Sequence, residues 1–81
     1  MPKDALTLPF DPDLLREERE RAGLTRPGLA ARCLASGHHV TPQHIGRLER
    51  GLHTPQAPLL KAFADVLGVP IDRLLSSKAG V

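Results

Sequence analysis

Apolar positions recur along this chain at the three- and four-residue spacing of buried helix faces, in blocks separated by glycine, proline and small polar residues. Asp11-Pro12 opens the first block: an aspartate that can cap free amides, then a proline whose fixed φ suits the first helical position. The helix runs to about Ala22, with Leu14, Leu15 and Ala22 as its sparse apolar positions, and Gly23 stops it. Arg16 to Arg21 reads as mostly a solvated face laced with i,i+4 pairs such as Glu17 with Arg21. Thr25 is the next cap, with Pro27 inside the first turn, and Leu29, Ala30, Cys33 and Leu34 form the buried stripe of a second helix ending near Ala35. Ser36-Gly37-His38-His39 reads as a turn. Thr41-Pro42 repeats the cap-then-proline signature, starting a third helix to about Arg50 that turns Ile45 and Leu48 inward beneath Val40 and ends at Gly51.

After the loop Leu52-His53-Thr54-Pro55, a fourth helix places Leu59, Leu60, Phe63, Ala64 and Leu67 on one face and stops at Gly68. A last short helix spans Ile71 to Leu75. The expected fold is all-α with five helices, without strand signal or repeat, over residues 11–75. An extended or partly ordered arm over 1–10 precedes it, and a polar tail over 76–81 follows.

Size narrows the function. A chain of 81 residues makes one domain, and a domain this small buries only about 60–65% of its unfolded surface, which leaves little room for a deep catalytic pocket. No nucleophile, base and orienting acid stand out together, and there is no glycine-rich phosphate loop, so no enzyme, cofactor or small-molecule substrate is expected. Cys33 is the single cysteine and the start of the chain lacks the apolar run of a secretory signal, which suits a reducing cytoplasm. No stretch approaches the ~20 apolar residues of a membrane span.

The net charge of +2 is too small to argue for a polyanion partner, but its distribution is uneven. Residues 1–40 carry six basic and six acidic side chains, whereas 41–81 carry five and three. All four histidines lie between His38 and His53, a window with Arg47 and Arg50 but only one acid, Glu49. Any anion-binding face belongs there.

Two short capped helices joined by a turn form a helix-turn-helix, whose second helix can enter a DNA major groove. With Ile45 and Leu48 inward, Gln43, His44 and Arg47 are left outward. Gln43 and Arg47 are one helical turn apart. A glutamine amide can bond adenine, and an arginine can hold guanine O6 and N7 with two parallel bonds, each good pair discriminating by about 1–3 kcal/mol. Taken alone, the same two residues also suit an ordinary solvated helix. Cys33, His38, His39, His44 and His53 invite a zinc site, but their spacing fits no standard one, so no metal is expected. The scarcity of aromatics, two Phe with no Trp or Tyr, argues against base stacking on single strands.

The ordered set Leu24-Thr25-Arg26, Leu29-Ala30, Val40-Thr41, Ile45-Gly46-Arg47-Leu48-Glu49-Arg50-Gly51, Pro55, Leu60, Ala64, Leu67-Gly68-Val69 and Leu74-Leu75 resembles the Cro and lambda-repressor type of helix-turn-helix domain, the XRE family, over about residues 14–75. The resemblance implies a five-helix lambda-repressor-like domain that binds double-stranded DNA. It puts Gln43, Arg47 and His44 at base edges, and Thr25, Arg26, Thr41, Arg50, Gly51, His53 and Thr54 at phosphates. Arg19 and Glu49 match a family ion pair that fixes the recognition helix without touching a base. Two features depart from the pattern. Pro42 occupies a position where relatives often read a base, and the stretch between Ala30 and Val40 is about five residues longer than the family's usual one, so Cys33 to His39 forms an extra helical turn or a longer loop, which either brings His38 and His39 near the phosphate backbone or holds them in solvent.

The resulting expectation is a sequence-specific transcriptional regulator, a repressor in the pattern of the family, with its recognition helix at about 42–50. It is expected to act as a homodimer in a bacterial or phage setting, in the cytoplasm on the nucleoid. Its dimer surface falls around Leu59, Val66, Ile71 and Leu75. The alternative is an antitoxin-like or accessory module that uses the same fold to hold a protein partner. Histidines near phosphates are further expected to gain protons on binding, making DNA binding tighter and its salt slope steeper at pH 6 than at pH 8.

Overall fold

The computed structural model describes residues 9–76. Four α-helices, α1 (Pro12–Arg21), α2 (Arg26–Ala35), α3 (Pro42–Glu49) and α4 (Ala57–Leu67), are followed by a 3₁₀ turn at Ile71–Leu74. The fifth helix expected from the sequence is therefore this single turn. Pro70 fixes its start, and Leu75 returns to extended backbone at φ −110° and ψ 145°, leaving too few residues for an α-helical ladder.

The expected caps set the first three helix starts. Asp11 Oδ1 accepts from the Asp13 N–H, Thr25 Oγ1 from the Gly28 N–H and Thr41 Oγ1 from the His44 N–H, each at 3.0 Å. Gln56, before α4, makes no side-chain cap. The helices close alike. After α2, the Gly37 N–H donates to the Leu34 carbonyl and the His38 N–H to the Cys33 carbonyl at 2.8 Å, a closure that needs the left-handed φ of +91° at Gly37.

Leu15, Leu29, Cys33, Ile45, Leu48, Leu60, Phe63 and Leu74 are fully buried and form one core with Ala30, Val40 and Ala64. Each large apolar side chain sealed this way contributes about 1.5–3 kcal/mol before entropy is counted. α3 packs against both α1 and α2, so the core fixes its orientation. Leu34, expected in the buried stripe, is instead 58% exposed. It is one helical step round from Cys33, past the edge of the face that α2 turns to the core.

Two further expectations need correction. Arg16 to Arg21 is mostly solvated, as expected, with Glu18 and Arg19 buried. Arg21 meets Glu18 at 3.5 Å rather than forming the expected pair with Glu17, and Arg73 meets Glu18 at 3.3 Å, tying α1 to the 3₁₀ turn. The folded unit is also wider than 11–75. Phe10 forms an isolated antiparallel bridge with Leu75 and packs on the core, and the Ser76 N–H donates to the Pro9 carbonyl at 2.7 Å. The rest of the expected arm (1–8) and tail (77–81) lies outside the described residues. Leu59, Val66, Ile71 and Leu75 are partly buried against the same core. No helix among the described residues is long and apolar enough to cross a membrane.

Candidate nucleic-acid interface

The length between Ala30 and Val40 resolves into both alternatives. α2 continues to Ala35, and the Gly37 closure then leads through a connector over 36–41 to Thr41, where α3 begins. That connector is longer than the three or four residues of a tight helix-turn-helix. Even so, Val40 is buried at its end and pins the entry to α3.

α3 divides sharply into two faces. Ile45, Gly46, Leu48 and Glu49 are buried, whereas Gln43, Arg47 and Arg50 are exposed and His44 and Pro42 are half-buried. The inward carboxylate is fully engaged: Arg19 Nε donates to Glu49 Oε2 at 2.7 Å and Arg19 Nη2 to Oε1 at 3.1 Å, while Arg19 Nη1 donates to the Leu24 carbonyl at 2.9 Å. This fork holds α1, the start of α2 and the end of α3 in one arrangement. The hydrogen bond with Glu49 raises the Arg19 pKa, against the opposing effect of burial, so the guanidinium stays charged at every accessible pH.

Arg26, expected at a phosphate, is also tied to this carboxylate, its Nε donating to Glu49 Oε1 at 3.1 Å. Its side chain is 45% exposed, so the outer part of the guanidinium still faces solvent. Arg26 lies over Gly46, where an added Cβ would meet the arginine Cδ and Nε at 3.8 Å. Arg50 Nε donates to the Gly46 carbonyl at 3.3 Å from the other side. The sequence reading found Arg19 with Glu49 but missed both the third member, Arg26, and the Glu18–Arg73 link. Neither pairing leaves a local signal, because the partners are 23 and 55 residues apart.

Three adjoining hollows surround the outward face. The first, about 390 Å³, lies between α2 and α3, and Arg26, Gln43, Arg47 and Arg50 line it. The second, about 400 Å³, runs along the other flank of α3 past His39, Thr41, His44 and Arg47. The third, about 380 Å³, collects all four histidines with Thr54 and Gln56. Arg47 is common to the first two hollows and His44 to the last two, so the three adjoin along the outward side of α3. Of the expected phosphate residues, Arg26 and Arg50 line the first hollow, Thr41 the second, and His53 and Thr54 the third. Thr25 and Gly51 are exposed but line none of the three. Thr25 is occupied as the α2 cap, and Gly51 takes a left-handed φ of +77° at the end of α3.

His44 and His53 have ring centroids 5.7 Å apart, tilted by 42°. Among the described residues no three His, Cys, Asp or Glu side chains are placed to share a metal ion. Cys33 is sealed in the core, and burial pushes its thiol pKa up, away from the thiolate that metals and electrophiles require.

A family model described as a helix-turn-helix domain matches residues 13–76, which spans all four helices and the 3₁₀ turn almost completely. Neither the comparison with curated proteins nor that with solved structures gave a match. The buried Arg19–Glu49 fork, the capped α2–turn–α3 unit and the extent of the family match converge, and the chain belongs to the helix-turn-helix domain family of the XRE-like, Cro and lambda-repressor type.

Proposed function

We propose that this helix-turn-helix domain is a sequence-specific regulator of transcription that lays α3 in the major groove of double-stranded DNA. The observation that carries the reading is the outward face of α3. Gln43 and Arg47 are one turn apart, both exposed, and both line the hollow edged by Arg26 and Arg50. In this reading Gln43 and Arg47 contact base edges, with His44 beside them, and Arg26, Arg50, Thr41, Thr25, Gly51, His53 and Thr54 contact the flanking phosphates. Arg26 serves both partners, bonding Glu49 on one edge and offering its other edge outward.

A single unit reads few base pairs, so the regulator acts as a homodimer on half-sites about 34 Å apart. The outer edges of Leu59, Val66, Ile71 and Leu75, which the core only partly covers, supply the contact. Selection of bound fragments from random duplex DNA tests the proposal, because it reports motif, symmetry and half-site spacing together. An enriched, partly symmetric motif is expected, and no enrichment at low salt would overturn the reading. A second reading, a module that holds another protein, draws on Leu34 and Leu52, which are 58% and 63% exposed. A partner that binds this chain and is lost on Leu34→Ser or Leu52→Ser would favour it.

A further inference from the structure

Of the residues assigned to base edges, only His44 lines the hollow that holds the four histidines. His38 and His39 come from the connector after α2, His44 from α3 and His53 from the loop before α4, and the folded chain brings all four to one cleft of about 380 Å³. Thr54, Pro55 and Gln56 of that loop and Pro58 and Leu59 of α4 complete its walls, so no carboxylate lines it. Arg47 shares the adjoining hollow with His39 and His44. Glu49, on the buried face of α3, is committed to Arg19 and Arg26. The first turn of α4 also opens here without a side-chain cap from Gln56, adding the positive end of a helix dipole.

Four imidazoles beside an arginine and without an acid repel one another's charge. An anion from outside the protein would offset that repulsion. We infer that this cleft is a phosphate subsite, charged by proton uptake as it closes on a backbone phosphate of the duplex beside the major groove. The inference rests on the DNA-binding reading given above. Its physical content is linkage: a phosphate favours the imidazolium form, so protons and DNA bind cooperatively. The added affinity is therefore greatest at acidic pH and is lost as pH rises. An anion of this chemistry could also be a free phosphate, so the test separates the two sources.

The experiment measures affinity for the selected duplex at pH 6 and pH 8 across a salt series, for the parent chain and for the double variant His38→Gln/His39→Gln. Proton uptake is read by calorimetry in buffers of different ionisation enthalpy. Uptake of one or two protons on binding is expected to tighten it by about 5–30-fold from pH 8 to pH 6. Each also steepens the logarithmic salt slope by about 0.9 at pH 6. The double variant is expected to flatten the pH dependence and take up fewer protons. Comparing it with the parent cancels every other group that titrates in this range. DNA binding with no proton uptake and no pH dependence in the parent overturns the subsite and leaves the regulator reading standing. Failure to bind duplex at either pH overturns both. Inorganic phosphate that shifts the histidine NMR signals at millimolar concentration, with no proton uptake on adding duplex, would show a free-anion site and overturn the duplex assignment.

Discussion

The two faces of α3 use the same kinds of side chain to opposite ends. On the inner face, Glu49 is surrounded by Arg19 and Arg26, and no buried side-chain nitrogen or oxygen among the described residues lacks a partner. On the outer face, Arg47 meets no carboxylate among the described residues and four imidazoles share an acid-free cleft. Charge satisfied within the chain fixes the angle of the helix, and charge left unsatisfied is available to a polyanion. A buried ion pair adds little net stability over apolar packing, because desolvation offsets attraction. The inner cluster is better understood as holding one geometry than as a source of stability.

Breaking the inner face produces the largest effect. Glu49→Leu leaves Arg19 buried without its partner and is expected to destabilise the fold by about 3–5 kcal/mol in denaturant unfolding. Arg19→Met alone costs less, because Glu49 keeps Arg26. The double variant costs less than the sum of the single losses, and additive losses in this cycle would show that the two residues act independently.

At the boundary between the faces, Thr41→Ala removes the cap on the His44 N–H and lowers stability by about 1 kcal/mol. A thermal melt unchanged by this substitution would show that solvent caps the helix equally well.

The smallest effect, of opposite sign, sharpens the comparison. Gly46 lies under Arg26, yet an added methyl meets it only at ordinary contact distance, 3.8 Å. Gly46→Ala is thus expected to stabilise the helix by about 0.5–1 kcal/mol through propensity alone. A loss of stability would mean that Arg26 cannot yield and that its bond to Glu49 is more tightly fixed than the spacing suggests.

How much of this was legible in the sequence follows from the range of the interactions. Caps, prolines and glycine stops act within four residues, so the starts of the first three helices and the ends of all four were readable from Asp11, Thr25, Thr41 and the glycines that follow each helix. The outward placement of Gln43 and Arg47 followed from periodicity once Ile45 and Leu48 were assigned inward. Contacts between residues distant in sequence were not readable from periodicity or caps, and Arg19–Glu49, 30 residues apart, was legible through the family resemblance alone. The Arg26–Glu49 bond, the Arg73–Glu18 bond and the Phe10–Leu75 bridge depend on how elements meet. Leu34 misled because helical spacing says which residues share a face but not how far a neighbouring helix extends over it. The clustering of histidines between 38 and 53 was visible as a run in the chain, and only the fold shows that the four side chains share a cleft.

The central claim is that the outer face of α3 reads base pairs. The most direct measurement is the ratio of affinities for the selected duplex and a scrambled one, compared between the parent chain and Arg47→Ala. Arg47 is exposed and has no ion-pair partner among the described residues, so the melting curve should move by no more than about 0.5 kcal/mol. The ratio should fall by about 1–3 kcal/mol, roughly 5- to 150-fold, with the loss concentrated at one position of the motif. A ratio left unchanged by the substitution, or weakened equally on both duplexes, would contradict the account.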